Sequence, residues 1–211
     1  MKKYLAALSA TALIGVAPYA LAGPSADLRV TGLITPVACT PSLSDGGVID
    51  IGKVPAKNLN MDTVTLVDSR PMQLSVSCTA PIGVALLGID NNASSALYDN
   101  YYGLGFTDDG QKIGMFRPNI KSAQADGQAL TPIHSTDIDG PKKSWQLTSY
   151  LGKNELTSAG TPRGSSSYTP ALVENLTMEL EVVTYIAPGK SLTLTEDIKM
   201  NGSATFELTY L

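Results

Sequence analysis

The stretch LTMELEV, residues 176–182, alternates apolar and polar side chains over seven positions. A period of two places the apolar side chains on one face of an extended chain, which is the pattern of a half-buried β-strand. The same alternation recurs in MQLSVSC, residues 72–78, and in ATFELTY, residues 204–210. These three segments predict an antiparallel sheet with one covered face and one solvated face.

The segments around them also favour strands. VALLGI, residues 84–89, is a continuous apolar run, which fits a strand covered on both faces. Residues 48–52 and 192–194 predict two further short strands, and the least regular part, residues 91–170, is expected to hold strands around 103–106 and 145–151 between long loops. The chain has 19 Gly and 13 Pro, and clusters of turn-forming residues separate these segments. Short strands joined by such turns predict an all-β antiparallel sandwich in one domain.

The N-terminus has the pattern of an export signal. Lys2 and Lys3 precede an apolar run, residues 4–19, and an Ala-Leu-Ala sequence closes the segment at Ala22. We therefore expect residues 1–22 to be a cleaved signal peptide. No later stretch is long and apolar enough to span a bilayer, so we expect no membrane span after cleavage.

The charge of the processed chain disfavours one class of partner. Cleavage would remove Lys2 and Lys3 and no acidic residue, which leaves 13 basic and 19 acidic side chains. A net charge near −6 cannot neutralise phosphates, so a nucleic-acid partner is not expected.

The two cysteines, Cys39 and Cys78, predict a structural disulfide, because an even pair in an exported chain is oxidised. The chain has one histidine, His134, and no C-x-x-C motif, so neither a metal site nor another cofactor is expected. We expect His134 to be a solvated or capping residue. Because no hydrolase or metalloprotease motif is present, we do not expect an enzyme.

Gly32 lies seven residues before Cys39, Cys39 and Cys78 are 39 positions apart, and the C-terminus has a penultimate tyrosine, Tyr210. In these three features the chain resembles the chaperone–usher pilins, which are fimbrial subunits. Tyr185-Ile186-Ala187 resembles a further pilin segment. Within this superfamily, residues 26–29 and 31–54 are most similar to fimbrial-like, GltF-type secreted proteins.

The resemblance implies an immunoglobulin-like sandwich, residues 37–211, that lacks its last strand. Such a subunit is stabilised by a strand from a periplasmic pilus chaperone, passes an outer-membrane usher, and joins a neighbouring pilus subunit through donor-strand exchange. It would pass through the periplasm to a fimbria at the cell surface. The implied donor strand is the extension 23–36, with four residues inserted: Leu28, Val30, Gly32 and Ile34. The implied edge that receives a donor strand or the chaperone contains Ala204, Phe206, Leu208, Tyr210 and Leu211.

Two simpler interpretations remain open. Residues 28–34 could be the ordinary first strand, and residues 204–210 the ordinary closing strand, of a complete sandwich. The protein would then be a free periplasmic or secreted binding module that does not polymerise.

Overall fold

The computed structural model of the protein describes Arg29 and residues 38–140, 143–165 and 167–211. The predicted signal peptide, residues 1–22, lies outside the described residues. So does the predicted donor extension apart from Arg29, including Leu28, Val30, Gly32 and Ile34.

Ten strands make up the regular structure of the described ranges. In chain order they are β1 (Cys39–Leu43), β2 (Thr65–Asp90), β3 (Tyr102–Gly103), β4 (Gly114–Ala125), β5 (Gln128–Ser135), β6 (Gln146–Leu147), β7 (Leu156–Pro162), β8 (Tyr168–Pro170), β9 (Leu172–Ile186) and β10 (Ala204–Tyr210). Four single 3-10 turns accompany them: Ser44–Gly47, Ala56–Asn58, Ala93–Ser95 and Gly189–Ser191. The protein is therefore all-β, as predicted.

The strands form two antiparallel sheets that share β2 and β5. In the first sheet the order is β1, the first part of β2, β9, β4 and the start of β5, with β3 also beside β4. In the second sheet β10 and β7 flank the last part of β2, β5 follows β7, and the short β6 and β8 pair with β5 and β7. The ladder between β2 and β9 shifts register between Ser77 and Ile82, where Pro81 has no N–H to donate. Pairing with β9 resumes at Ile82 and Gly83, and from Val84 onward β2 pairs with β10 in the second sheet.

The main core lies between the two sheets and follows the predicted alternation. Leu74 and Val76 of β2 and Met178 and Leu180 of β9 are buried in it, together with Leu86 from the second sheet. The apolar run at 84–89 is covered on both faces, as predicted. Val84 and Leu86 lie in the main core, whereas Ala85, between them, packs in a separate cluster with Ile133, Trp145 and Leu156.

Three expectations about local structure need correction. Residues 48–52 form no strand, because Gly47 and Gly52 have positive φ angles of 74° and 66° that interrupt an extended chain. Residues 192–194 form no strand either; a 3-10 turn precedes them, and Leu192 is held in a third apolar cluster with Ile186 and Ala187. The central part, residues 91–170, contains six strands, β3 to β8, and is more regular than the sequence indicates.

Candidate functional site

In the described part of the chain, a groove lies between two edge strands. Among these residues, β1 pairs with β2 alone in the first sheet, and β10 pairs with β2 alone in the second. The 3-10 turn and irregular chain after β1 and the segment before β10 border the same cavity, which has a volume of about 630 Å³. Its apolar lining includes Leu43, Ile49, Met72, Phe116, Leu180, Val182, Ala204 and Phe206.

The outer edge of β10 points its backbone groups away from β2. Asn91 N–H donates to Ser203 O over 3.1 Å, and Leu211 N–H donates to Gly83 O over 3.0 Å. Because backbone direction alternates along a strand, residues 205, 207 and 209 share the pairing direction of Ser203 and Leu211. The N–H and C=O groups of Ala204, Phe206, Leu208 and Tyr210 therefore point outward from the sheet, and we call this side of β10 the open edge.

The side chains on the open edge are only partly covered. Phe206 and Leu208 pack against the main core but remain half-buried, whereas Thr205 and Glu207 face solvent. Of the predicted receiving residues, Ala204 and Phe206 line the cavity, and Leu208 packs against the main core farther along β10, with Tyr210 at the end of the same strand. Leu211 lies just beyond, exposed, and its N–H is bonded to β2.

The facing edge of β1 offers fewer backbone donors. Thr79 N–H donates to Ala38 O over 2.9 Å, so the backbone groups of residues 40 and 42 point toward β2 and those of Cys39, Pro41 and Leu43 point away. Pro41 has no N–H. The N–H of Cys39 already donates to the Tyr210 hydroxyl over 3.1 Å, which joins β1 to β10 at one end of the groove.

The predicted disulfide stands at that end. Cys39 and Cys78 are bonded, with their Cα atoms 4.0 Å apart in directly opposed positions of β1 and β2. It therefore fixes β1, one wall of the groove, to the central strand of the fold.

A buried polar cluster lies behind the other end of the groove. The Tyr102 ring is fully buried; it stacks on Phe116 at 5.3 Å and meets Phe206 edge-on at 6.1 Å. Burial, helped by the negative charges of Asp90 and Glu155, raises the pKa of Tyr102 well above its usual value. The hydroxyl is therefore a neutral phenol with no hydrogen-bond partner among the described residues.

The expectation that His134 is a solvated or capping residue is wrong. Its Nδ1 atom lies 2.7 Å from Oε2 of Glu155, and both side chains are largely buried, so this histidine is neither solvated nor a cap. The partner was not visible in sequence because Glu155 is 21 residues away; the pairing of β5 with β7 brings the two together.

In the described residues, no three His, Cys, Asp or Glu side chains come close enough to hold a metal ion. None of the described helices is long and apolar enough to cross a membrane.

Comparison with known proteins gives relatives of similar length. A family model described as "Protein of unknown function (DUF1120)" matches residues 28–101, which include β1, the disulfide and β2. The chain is 28% identical to protein GltF of Escherichia coli (strain K12), with 100% of this chain and 99% of GltF covered. It is 26% identical to the uncharacterized protein YhcF of the same organism, with 89% of this chain and 90% of YhcF covered. The protein is therefore similar to GltF and YhcF over nearly its whole length, as the sequence resemblance to GltF-type proteins predicted.

Proposed function

We propose that this protein is a structural subunit of a bacterial fimbria or pilus, assembled by donor-strand complementation and exchange. The observation that carries the proposal is the open edge of β10 beside an apolar groove. An inserted strand would find outward-pointing backbone groups at four positions of β10, and half-buried apolar side chains at Phe206 and Leu208. This combination is what β-strand addition requires: main-chain bonds for affinity and apolar pockets for specificity.

The proposed occupant in the assembled fibre is the extension 23–36 of a second copy. Its residues Leu28, Val30 and Ile34 alternate with polar residues, so they would face the core of the receiving subunit while Gly32 passes where space is smallest. Before assembly, a periplasmic chaperone would lend a strand to the same edge, because an exposed apolar edge strand is an aggregation site. Export through the periplasm and an outer-membrane usher to the cell surface is part of this proposal.

A free binding module is the second candidate function. It is favoured by the hydrogen bond between Cys39 and Tyr210, which closes one end of the groove within a single chain. In such a module the groove would hold a ligand, and the chain would be stable without a donor strand.

Thermal unfolding of the processed chain, residues 23–211, separates the two. With a peptide that copies residues 24–36, the subunit hypothesis expects a large rise in melting temperature. The matched control is the same peptide with Asp in place of Leu28 and Val30, which should have no effect because a buried unpaired charge is unfavourable.

Two variants of β10 test whether the peptide stabilises the chain by binding in the groove. Leu208→Asp should abolish the stabilisation by the peptide. Thr205→Asp, whose side chain lies on the solvent face of the same strand, should retain it. A cooperative melt at an ordinary temperature that no peptide changes would refute the subunit hypothesis and leave the binding module.

A further inference from the structure

A second surface, on the side of the first sheet opposite the groove, combines four tyrosines with one arginine. The guanidinium carbon of Arg117, on β4, lies 4.5 Å from the ring centroid of Tyr101 and 5.0 Å from that of Tyr150. The Tyr101 ring also meets Tyr98 at 5.9 Å and Tyr185 at 6.0 Å, both edge-on. We call these five residues the tyrosine–arginine platform.

The strand register explains why the platform faces outward. Tyr102 pairs with Phe116, and both side chains point into the core, so the adjacent Tyr101 and Arg117 point to the opposite face. Arg117 is opposite Val183 on β9, and Tyr185 follows on the same face. Tyr98 is 53% exposed, and the exposed Leu66 is opposite Tyr185 on β2.

The positive charge of Arg117 is not neutralised within the described part of the chain. Its Nε donates to Asn119 Oδ1 over 2.8 Å, and no described carboxylate lies within 4.0 Å of it. The neighbouring Lys121, in contrast, pairs with Glu181. A guanidinium held between two aromatic rings keeps its terminal N–H groups in a fixed plane, which suits a carboxylate.

The same chain presents a complementary surface on the hairpin of residues 104–114. Phe106, opposite Lys112 near the tip, is 45% exposed, and Asp108 and Asp109 are exposed in the turn itself. The tip is rigid: Thr107 N–H donates to Gln111 O, and Gly110 N–H donates to Thr107 O, both over 2.9 Å. The Gln111 amide is bonded twice to Thr193, over 2.8 and 2.9 Å, so the hairpin is also anchored at its side.

Acidic side chains predominate around this tip. Glu196 and Asp197 line the same surface depression as Asp108 and Asp109, with Lys199 as its single basic member. An exposed aromatic ring beside several carboxylates is the chemical complement of four tyrosines around an uncompensated guanidinium.

We propose that the hairpin tip of a second copy of this chain docks on the tyrosine–arginine platform. A carboxylate of Asp108 or Asp109 pairs with Arg117, and Phe106 packs against the exposed ring of Tyr98. Tyrosine and arginine are the residues that dominate binding energy at protein interfaces, and the charge match sets the orientation. A rigid tip loses little entropy on docking. The contact uses neither β1 nor β10, so it does not rest on the proposed function.

The test is a charge swap, read by sedimentation velocity over a dilution series of the processed chain with saturating donor peptide 24–36. The wild-type chain should self-associate. Arg117→Glu alone, and the pair Asp108→Lys with Asp109→Lys, should each weaken association at least tenfold. The chain carrying all three changes should regain it, because the attraction is restored with its signs reversed. Arg163→Glu, at an exposed position away from both surfaces, is the matched control and should associate like the wild type.

Three results would overturn the inference. The first is a wild-type chain that stays monomeric at every concentration. Binding of an acidic polysaccharide to the platform would not rescue the inference in that case. Association that survives both single-sided charge changes is the second, since it would belong to strand insertion or to another face. Failure of the combined variant to associate is the third. If Arg117→Glu does not fold, the variant with Asp108→Lys and Asp109→Lys still tests the inference. Both aspartates are exposed in a turn, so their replacement should not prevent folding.

Discussion

The hydroxyl of Tyr210 accepts a hydrogen bond of 3.1 Å from the backbone N–H of Cys39, and this bond joins the two edge strands that border the groove. The Cys39 N–H points away from β2, toward the place where an inserted strand would present a carbonyl. The Tyr210 hydroxyl therefore occupies a position that an added strand would otherwise use. It marks the end of the groove.

Replacement of Tyr210 by Phe tests this assignment. The variant should lose about 0.5–1.5 kcal/mol of unfolding free energy, the usual net value of one hydrogen bond. It should also gain more stability than the wild type from donor peptides extended past the closed end, because the Cys39 N–H becomes available to them. Urea denaturation with a series of peptides of increasing length measures both effects. Identical length dependence in the two proteins would show that Tyr210 does not limit the inserted strand.

The disulfide between Cys39 and Cys78 should account for a large part of the stability. Closing a loop between residues 39 positions apart contributes roughly 4 kcal/mol in the chain-entropy model. Replacing both cysteines by Ser should lower the unfolding free energy by an amount of that order. Thiol titration of the denatured, unreduced protein should find no free thiol; two reactive thiols would contradict the disulfide.

Gly88 is required by a close approach between β2 and the buried cluster. A Cβ atom at this position would lie 2.1 Å from Gly152 O and 2.3 Å from the Tyr102 hydroxyl. Gly88→Ala should therefore destabilise the protein by about 1–3 kcal/mol, as overpacking does. Gly83→Ala is the control on the same strand, since the nearest atom to its added Cβ would be Leu211 Cβ, 3.3 Å away. Equal unfolding free energies for the two variants would contradict the close contact at Gly88.

Asp126 should give the protein part of its acid sensitivity. The backbone N–H groups of Glu174 and Asn175 donate to its carboxylate over 3.1 and 2.8 Å, and these bonds hold its pKa below the ordinary value of 3.8. Because the folded-state pKa is lowered, the stabilisation is complete above pH 3.8 and is lost as the pH falls through the lower folded-state value.

Asp126→Asn should therefore flatten the fall of the urea midpoint between about pH 4 and pH 2. Asparagine tolerates the positive φ of 50° at this turn, so the backbone is preserved. Asp99→Asn, at an exposed loop position, is the control. If the urea midpoints of the variant and the wild type fall equally between about pH 4 and pH 2, the Asp126 contacts do not contribute to the acid sensitivity.

The sequence predicts the parts of the fold where one side chain in two is apolar. Residues 204–210 alternate cleanly, and β10 has the same bounds. Strand β7 was not predicted, because its buried positions hold Thr157, Ser158, Ala159 and Gly160, whose small or polar side chains show no alternation. Strand β4 was also missed, since Pro118 and the register shift between Ile120 and Ser122 disturb its pattern.

The candidate site was only half visible in the sequence. The alternation at Phe206 and Leu208 predicts the side chains beside the open edge of β10. The backbone groups that β1 leaves free on the facing edge depend instead on which of its groups bond to β2. That information lies in the register of Cys39 with Cys78, not in residue types. The tyrosine–arginine platform likewise needs β3, β4, β9 and the chain near Tyr150 to be placed side by side, and its first and last members, Tyr98 and Tyr185, are 87 positions apart.

The passage of β2 from one sheet to the other gives the protein a mechanical property. Its 26 residues form an unbroken covalent tie, paired with β1 and β9 at one end and with β10 at the other. A tensile load that enters through β10 is therefore carried along the backbone of β2 into the first sheet and on to the disulfide. The two sheets can therefore separate only if β2 loses its hydrogen bonds to the neighbouring strands of one of them.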